Sequence, residues 1–151
     1  MDNIKNNNIP FAEDYSAFLT AKPKDGEVKT ITVIPSNDYK GADGKPVKWK
    51  LRKLSTKEFT ESKAGCYQIM GMAKVFDADK YSLNLVIESL VYPNMKNAAI
   101  QDHYGVTQPD ELLMALLPDM NDYMKLLNAF NELHGDVNQG IEADIKIVKN
   151  S

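Results

Sequence analysis

The sequence has little of what chemistry needs. One cysteine, Cys66, stands in 151 residues, so no internal disulfide can form, which fits a reducing compartment. The two histidines, His103 and His134, have no metal-ligand spacing between them or toward Cys66. A Cys66–His103 dyad has no local signature, and a small buried thiol and a separate surface imidazole are the plainer reading. No G-x-S-x-G, phosphate-cradling loop or dinucleotide fingerprint occurs. Gly41 to Lys45 has the wrong spacing for a P-loop and the right one for a hairpin turn. Asp77-Ala78-Asp79 lacks the later acids and the glycine of a calcium loop, so helix capping explains it better. No catalytic, cofactor-binding or metal-binding residue is expected, and no enzyme.

Long apolar runs are also missing. No stretch approaches membrane-spanning length, and the asparagine-rich start lacks the apolar centre of a signal peptide. Arginine is represented once, by Arg52, although arginine leads in phosphate and base recognition. A net charge of -3 argues against a whole-molecule nucleic-acid or membrane binder.

What is present is enough for one core-forming domain: 43% hydrophobic and 26% charged residues. Residues 1–9 read as a disordered polar tail, 10–136 as a single domain, and 137–151 as a C-terminal tail. In the tail, Ile141, Ile145 and Val148 suit a helical stripe, while Ile145 and Ile147 suit a short strand. The fold class is α+β, mostly α-helical, with an N-terminal β-hairpin packed on a small helical bundle.

Phe11, Tyr15, Phe18 and Leu19 at helical spacing predict a short amphipathic helix over 10–20, packed on its own domain or on a partner. Val28 to Ile34 is β-rich and is stopped by Pro35. Val47, Trp49 and Leu51 alternate with Lys48, Lys50 and Arg52, a period of two that predicts a strand with one apolar and one basic face. The pair Asp43-Gly44 turns the chain between the two strands. Ser55-Thr56-Lys57-Glu58 is a capping box, predicting a helix from Thr56. Cys66 to Phe76 is apolar around Gly71 and stays open between an extended lid and a short strand. Asp79 is expected to cap an apolar helix over Lys80 to Val91 that carries Leu83, Val86, Ile87 and Leu90.

From Tyr92 to Leu117 the chain is densely punctuated. Tyr92-Pro93-Asn94 ends a helix, because proline breaks the hydrogen-bond ladder. Asn94 or Asn97 caps a short helix through Tyr104, and Gly105 sits where a left-handed residue belongs. Thr107 is expected to cap the next helix, with Pro109, Asp110 and Glu111 in its first turn and Leu112, Leu113, Leu116 and Leu117 on its apolar face. Pro118 opens the last long helix, lined by Met120, Tyr123, Met124, Leu127 and Phe130 and closed by Gly135.

That series resembles the XkdN-like phage tail assembly chaperones. The resemblance is carried by Tyr92-Pro93-Asn94, then Gln101-Asp102-His103-Tyr104-Gly105-Val106, then Asp110-Glu111-Leu112-Leu113. Pro46-Val47-Lys48-Trp49 and the pair Leu117-Pro118 add to it, and it runs from about Asp14 to Gly135. It implies a non-enzymatic tail assembly chaperone of a contractile-tailed phage, prophage or phage-tail-like particle. Such a protein would bind the tape measure protein, promote assembly of the tail tube protein, and act in the cytoplasm of the bacterial host. It would be absent from the mature particle. The family supplies no catalytic residues. Trp49, Tyr92, Pro93, Asn94, Gln101, Asp102 and Gly105 are its motif positions and are expected to be structural.

The expected partner surface joins Phe11, Tyr15 and Phe18 to Tyr104, Leu112, Leu116, Met120 and Met124, because methionine-rich apolar faces suit adaptable helix binding. Two other functions remain in view: a structural tail adaptor or completion protein retained in the particle, and a nucleic-acid-binding regulator. The regulator would use Lys40, Lys45, Lys48, Lys50, Arg52, Lys53 and Lys57. A lysine-rich strand face is more often simply solvated, since lysine blocks edge-to-edge pairing. From Gln101 to Asp144 the chain is acidic, with Lys125 its only cation, and that polarity favours head-to-tail self-association.

Overall fold

The structure, a computed structural model, describes residues 15–22 and 28–135. Phe11, the 1–9 tail and the stretch from Ile141 to Val148 lie outside the described residues. Among those described, six helices and two small antiparallel sheets make an α+β fold in which helices predominate.

The first helix, α1 (Ser16–Thr20), buries none of its residues. Strands β1 (Thr30–Val33) and β2 (Trp49–Arg52) form the predicted hairpin, with Val33 opposite Trp49 and Thr30 opposite Arg52. Its turn is pinned by the Asp43 carboxylate, which accepts from Lys45 N–H at 3.0 Å, and by Gly44 at φ 78°. The period of two is realised: Trp49 and Leu51 are buried, and Lys50 between them is exposed.

Helix α2 (Thr56–Glu61) starts at Ser55 with the capping box predicted from sequence. The open stretch after it becomes a second hairpin. Strands β3 (Tyr67–Met70) and β4 (Ala73–Phe76) pair around Gly71 at φ 67°, a left-handed position that glycine takes without steric cost. All eight strand residues are exposed.

Helix α3 (Ala78–Ser89) differs from expectation at both ends. Its cap is Asp77, whose side chain accepts from Lys80 N–H at 3.0 Å, so Asp79 lies inside the first turn. Its end comes at Ser89, because Leu90 to Tyr92 leave the helix as strand β5 (Leu90–Tyr92) on the free edge of β2. The sheet order is therefore β1-β2-β5. Edge pairing satisfies backbone groups that the helix would otherwise have kept, which is why an apolar helical pattern ended early here.

Helix α4 (Ala98–Tyr104) is capped by Asn97, whose side chain accepts from Ile100 N–H at 3.0 Å, and ends at Gly105 with φ 68°. Helix α5 (Pro109–Leu116) takes Gln108, not Thr107, as its N-cap, with Pro109 first in the helix. The Glu111 carboxylate reaches back to accept from Gln108 N–H at 3.1 Å. Helix α6 (Met120–His134) is capped by Asp119 and closed by Gly135 at φ 75°. It lies on β1 and β2, while α3 packs on α5 and α6. The core between them joins Trp49, Leu51 and Leu54 of the hairpin region to Leu85, Val86, Met95, Leu112, Leu113, Leu126 and Phe130.

Candidate partner-binding groove

The apolar stripe on α5 serves two ends. Leu112, Leu113 and Leu116 are turned inward and buried, and they hold α5 against the rest of the core. Leu112 is 0% exposed and Leu116 6%, which corrects the expectation that they face a partner. The reason is packing: α5 has α3 on one side and α4 on another, so its leucine stripe is already covered. Met114, off that stripe, is 54% exposed.

Beside Met114 the chain leaves an open apolar groove of about 580 Å³ between α3, α5 and α6. Leu83 comes from α3, Leu113, Met114 and Leu117 from α5 and its end, and Met120, Tyr123 and Leu127 from α6. Pro118 forces the short connection between α5 and α6, and Asp79 and Ser82 complete the lining. Burial, and secondarily Asp79, raise the Tyr123 phenol above its usual pKa, so it stays neutral. Among the described residues, nothing in this lining is positively charged. The chemistry on offer is adaptable apolar contact, with a carboxylate and hydroxyls at the margin.

The expected surface residues divide. Met120 lines the groove and is 67% exposed. Met124 is exposed on the same helix but is not among the lining residues. Tyr104 is partly exposed and lies beside the Tyr39 phenol, which donates to the Leu116 carbonyl. Burial first, then Tyr104, Asp38 and Asp122, push the Tyr39 pKa up to about 12. Tyr39 thus ties the hairpin to the end of α5, with Tyr104 beside it. Tyr15 and Phe18 are exposed on α1. The expected surface did not include Leu83, Leu113, Met114, Leu117, Tyr123 or Leu127, which line the groove. The available signal was Met114, an apolar residue off the leucine stripe of its own helix.

Several motif positions have identifiable local work. Trp49 is buried and tilts against Tyr39 at 6.5 Å. Asn94 accepts from Lys96 N–H at 2.9 Å, and Gln101 donates to the Met95 carbonyl at 2.8 Å. Tyr92 contributes its backbone to β5, and its ring is exposed.

Other polar features are committed elsewhere. The Arg52 guanidinium forks onto the Glu58 carboxylate, one arm at 3.0 Å, and approaches Glu88 at 3.8 Å. The single arginine of the basic hairpin is therefore occupied, which weakens a nucleic-acid reading. A polar cleft of about 630 Å³ between α2, α3 and the start of α5 contains Glu58, Glu61, Glu88 and Lys96, all in ion pairs. The Cys66 thiol donates to the Ser62 carbonyl at 3.2 Å and accepts from Asn84 at 3.4 Å, and the His103 ring meets Tyr104. Among the described residues no group of three or more His, Cys, Asp or Glu could hold a metal ion. Among them, too, no helix is long and apolar enough to cross a membrane.

Comparison with known proteins decides the family. Residues 16–149 match the family described as phage XkdN-like tail assembly chaperone protein. The chain belongs to the XkdN-like tail assembly chaperones. This match runs past the end of the motif series, into the C-terminal tail. The crystal structure of the protein yqbn is similar in fold, with a TM-score of 0.64 at 20% identity, covering 83% of this chain and 98% of that one. The comparison with curated proteins finds no match.

Proposed function

We propose that this XkdN-like chain is a non-enzymatic chaperone of the tape measure protein in a contractile tail. In this reading it covers apolar stripes of the long tape measure helix until tail tube protein displaces it. It works in the host cytoplasm, in a phage, prophage or phage-tail-like setting, and leaves before the particle is complete. The observation that carries the reading is the open groove between α3, α5 and α6, with Met114 and Met120 exposed at it. An amphipathic helix docks by laying its apolar face into such a groove, and methionine adapts to successive, non-identical stripes.

Co-expression with the tape measure protein of the same tail cluster tests it. The expected result is a soluble complex with several copies of this chain per tape measure by light scattering. Substitution of Met114→Asp with Met120→Asp should abolish the complex and leave the fold intact, because both side chains are exposed. An insoluble tape measure with this chain eluting alone would overturn the reading. Finding the chain in purified particles by mass spectrometry would favour a retained adaptor instead.

A further inference from the structure

Among the described residues the sheet β1-β2-β5 has two open edges, and the end of α6 emerges beside one of them. The His134 ring accepts from Leu54 N–H at 2.8 Å, and the adjacent Lys53 N–H donates to the Lys29 carbonyl at 2.8 Å. The last turn of α6 therefore sits at the Thr30 end of β1. Its first turn sits at the other end. The Tyr39 phenol bonds the Leu116 carbonyl just before α6, and its ring meets Trp49, which pairs with Val33. A chain that leaves Gly135 and doubles back along α6 thus travels in the direction of β1. In the sequence beyond Gly135, Ile141, Ala143, Ile145 and Ile147 alternate with Glu142, Asp144 and Lys146. That period of two gives one apolar and one charged face.

We propose that the open edge of β1 is the docking site of this chain's own residues 141–148, added as a fourth strand parallel to β1. Reach permits it. Residues 136–140 span up to about 16 Å, at roughly 3.3 Å each, and the β1 edge lies about two strand spacings, roughly 10 Å, from Leu54. Support favours β1 over β5, because α6 lies on β1 and β2 and a chain returning along α6 meets β1 first. Alternation fixes the facing. The apolar side chains turn toward α6 beside Ile31 and Val33, which belong to the core face but are only half-buried. A slip of one residue would instead bury the carboxylates and expose the isoleucines. Glu142 and Asp144 then lie on the outer face beside Thr30 and Thr32, with Lys50 one strand further on. Charge agrees, since among the described residues Lys29, Lys48 and Lys50 make no ion pair. Val28 and Ile34, 58% and 38% exposed, bracket β1 and gain cover. A covered edge also cannot pair with the same edge of another copy. The family match, which runs to residue 149, takes in the whole segment. The contact uses none of the residues that line the groove between α3, α5 and α6.

NMR on the full chain tests this. Cross-strand contacts should join residues 141–148 to residues 29–34, and the carbon shifts of 141–148 should be those of extended backbone. Their amides should exchange roughly a hundredfold or more slower than in an unstructured chain. Ile145→Asp with Ile147→Asp should erase those contacts and speed exchange along β1. The same double variant should leave the Met114 and Met120 methyl signals and tape measure binding unchanged, because the groove is a separate surface. Exchange of residues 141–148 at the unstructured rate would overturn the proposal. So would helical carbon shifts there, contacts to β5 or to the β3–β4 hairpin instead of β1, or β1 exchange that ignores the double substitution. Contacts to β1 that vanish on dilution, together with a halving of mass by light scattering, would assign the strand to a second copy and overturn the same-chain assignment.

Discussion

The imidazole of His134 accepts a hydrogen bond at 2.8 Å from the backbone N–H of Leu54, 80 residues earlier in the chain. An N–H can only donate, so Nε2 is the unprotonated nitrogen, and Nδ1 carries the proton that bonds the Phe130 carbonyl at 2.8 Å. The ring stacks on Phe130 at 4.1 Å and meets Phe59 edge-on at 5.4 Å. One neutral histidine thus joins the last turn of α6 to the segment that leads from the hairpin into α2.

This contact predicts acid sensitivity. Burial, together with Lys53, lowers the His134 pKa below its ordinary 6.5, against the opposing hydrogen bond to Phe130. The unfolded chain takes up the proton near 6.5, and the folded chain only at lower pH. Stability from this group is therefore complete above 6.5 and is lost as pH falls through the folded value. Urea unfolding between pH 8 and 5 should show the midpoint dropping on acidification. His134→Phe should be less stable at pH 8 and lack that component of the drop.

A second pH step should lie lower. The Arg52 fork, with help from Ser55, lowers the Glu58 pKa to about 2, below its usual 4.5, and burial opposes the shift. The folded state binds this proton later than the unfolded state, so its contribution is present above 4.5 and lost as pH falls toward 2. Both side chains are about one-third exposed, so Glu58→Gln should cost on the order of 1 kcal/mol at neutral pH. Thermal melts at pH 7 and pH 3 should show a smaller difference for the variant than for wild type.

Core and groove should separate in a paired test. Leu112→Ala removes a fully buried side chain and should cost roughly 2–5 kcal/mol. Met120→Ala removes an exposed one and should change stability by less than about 0.5 kcal/mol. Chemical denaturation measures the first difference, and tape measure binding should respond to the second substitution without any loss of fold.

The division between these two residues marks how far sequence reaches. Period-two alternation around Trp49, the Ser55–Glu58 box, Gly105 and Gly135 were legible because each is local, and the cap of α4 was narrowed to Asn94 or Asn97: a cap or turn is decided by a few adjacent residues. Leu90 to Tyr92 read as helix because they continue an apolar pattern, and the β2 edge that captured them lies forty residues away in sequence. Leu112 and Leu116 were legible as apolar but not as covered. Periodicity identifies which face is apolar, and only the packing of α3 and α4 on α5 determines what is left open. Met114 and Met120 became a surface through that subtraction.

The methionines give the most direct test of the central claim, that the groove between α3, α5 and α6 holds the tape measure helix. The full chain, labelled at its methionine methyl groups, would be titrated with a soluble apolar-striped segment of the tape measure protein and followed by NMR. The account predicts large shifts at Met114 and Met120, and little change at Met95 in the core or at Met70 and Met72 on the second hairpin. Shifts confined to Met70 and Met72, with Met114 and Met120 unmoved, would contradict it and move the binding surface to the β3–β4 hairpin.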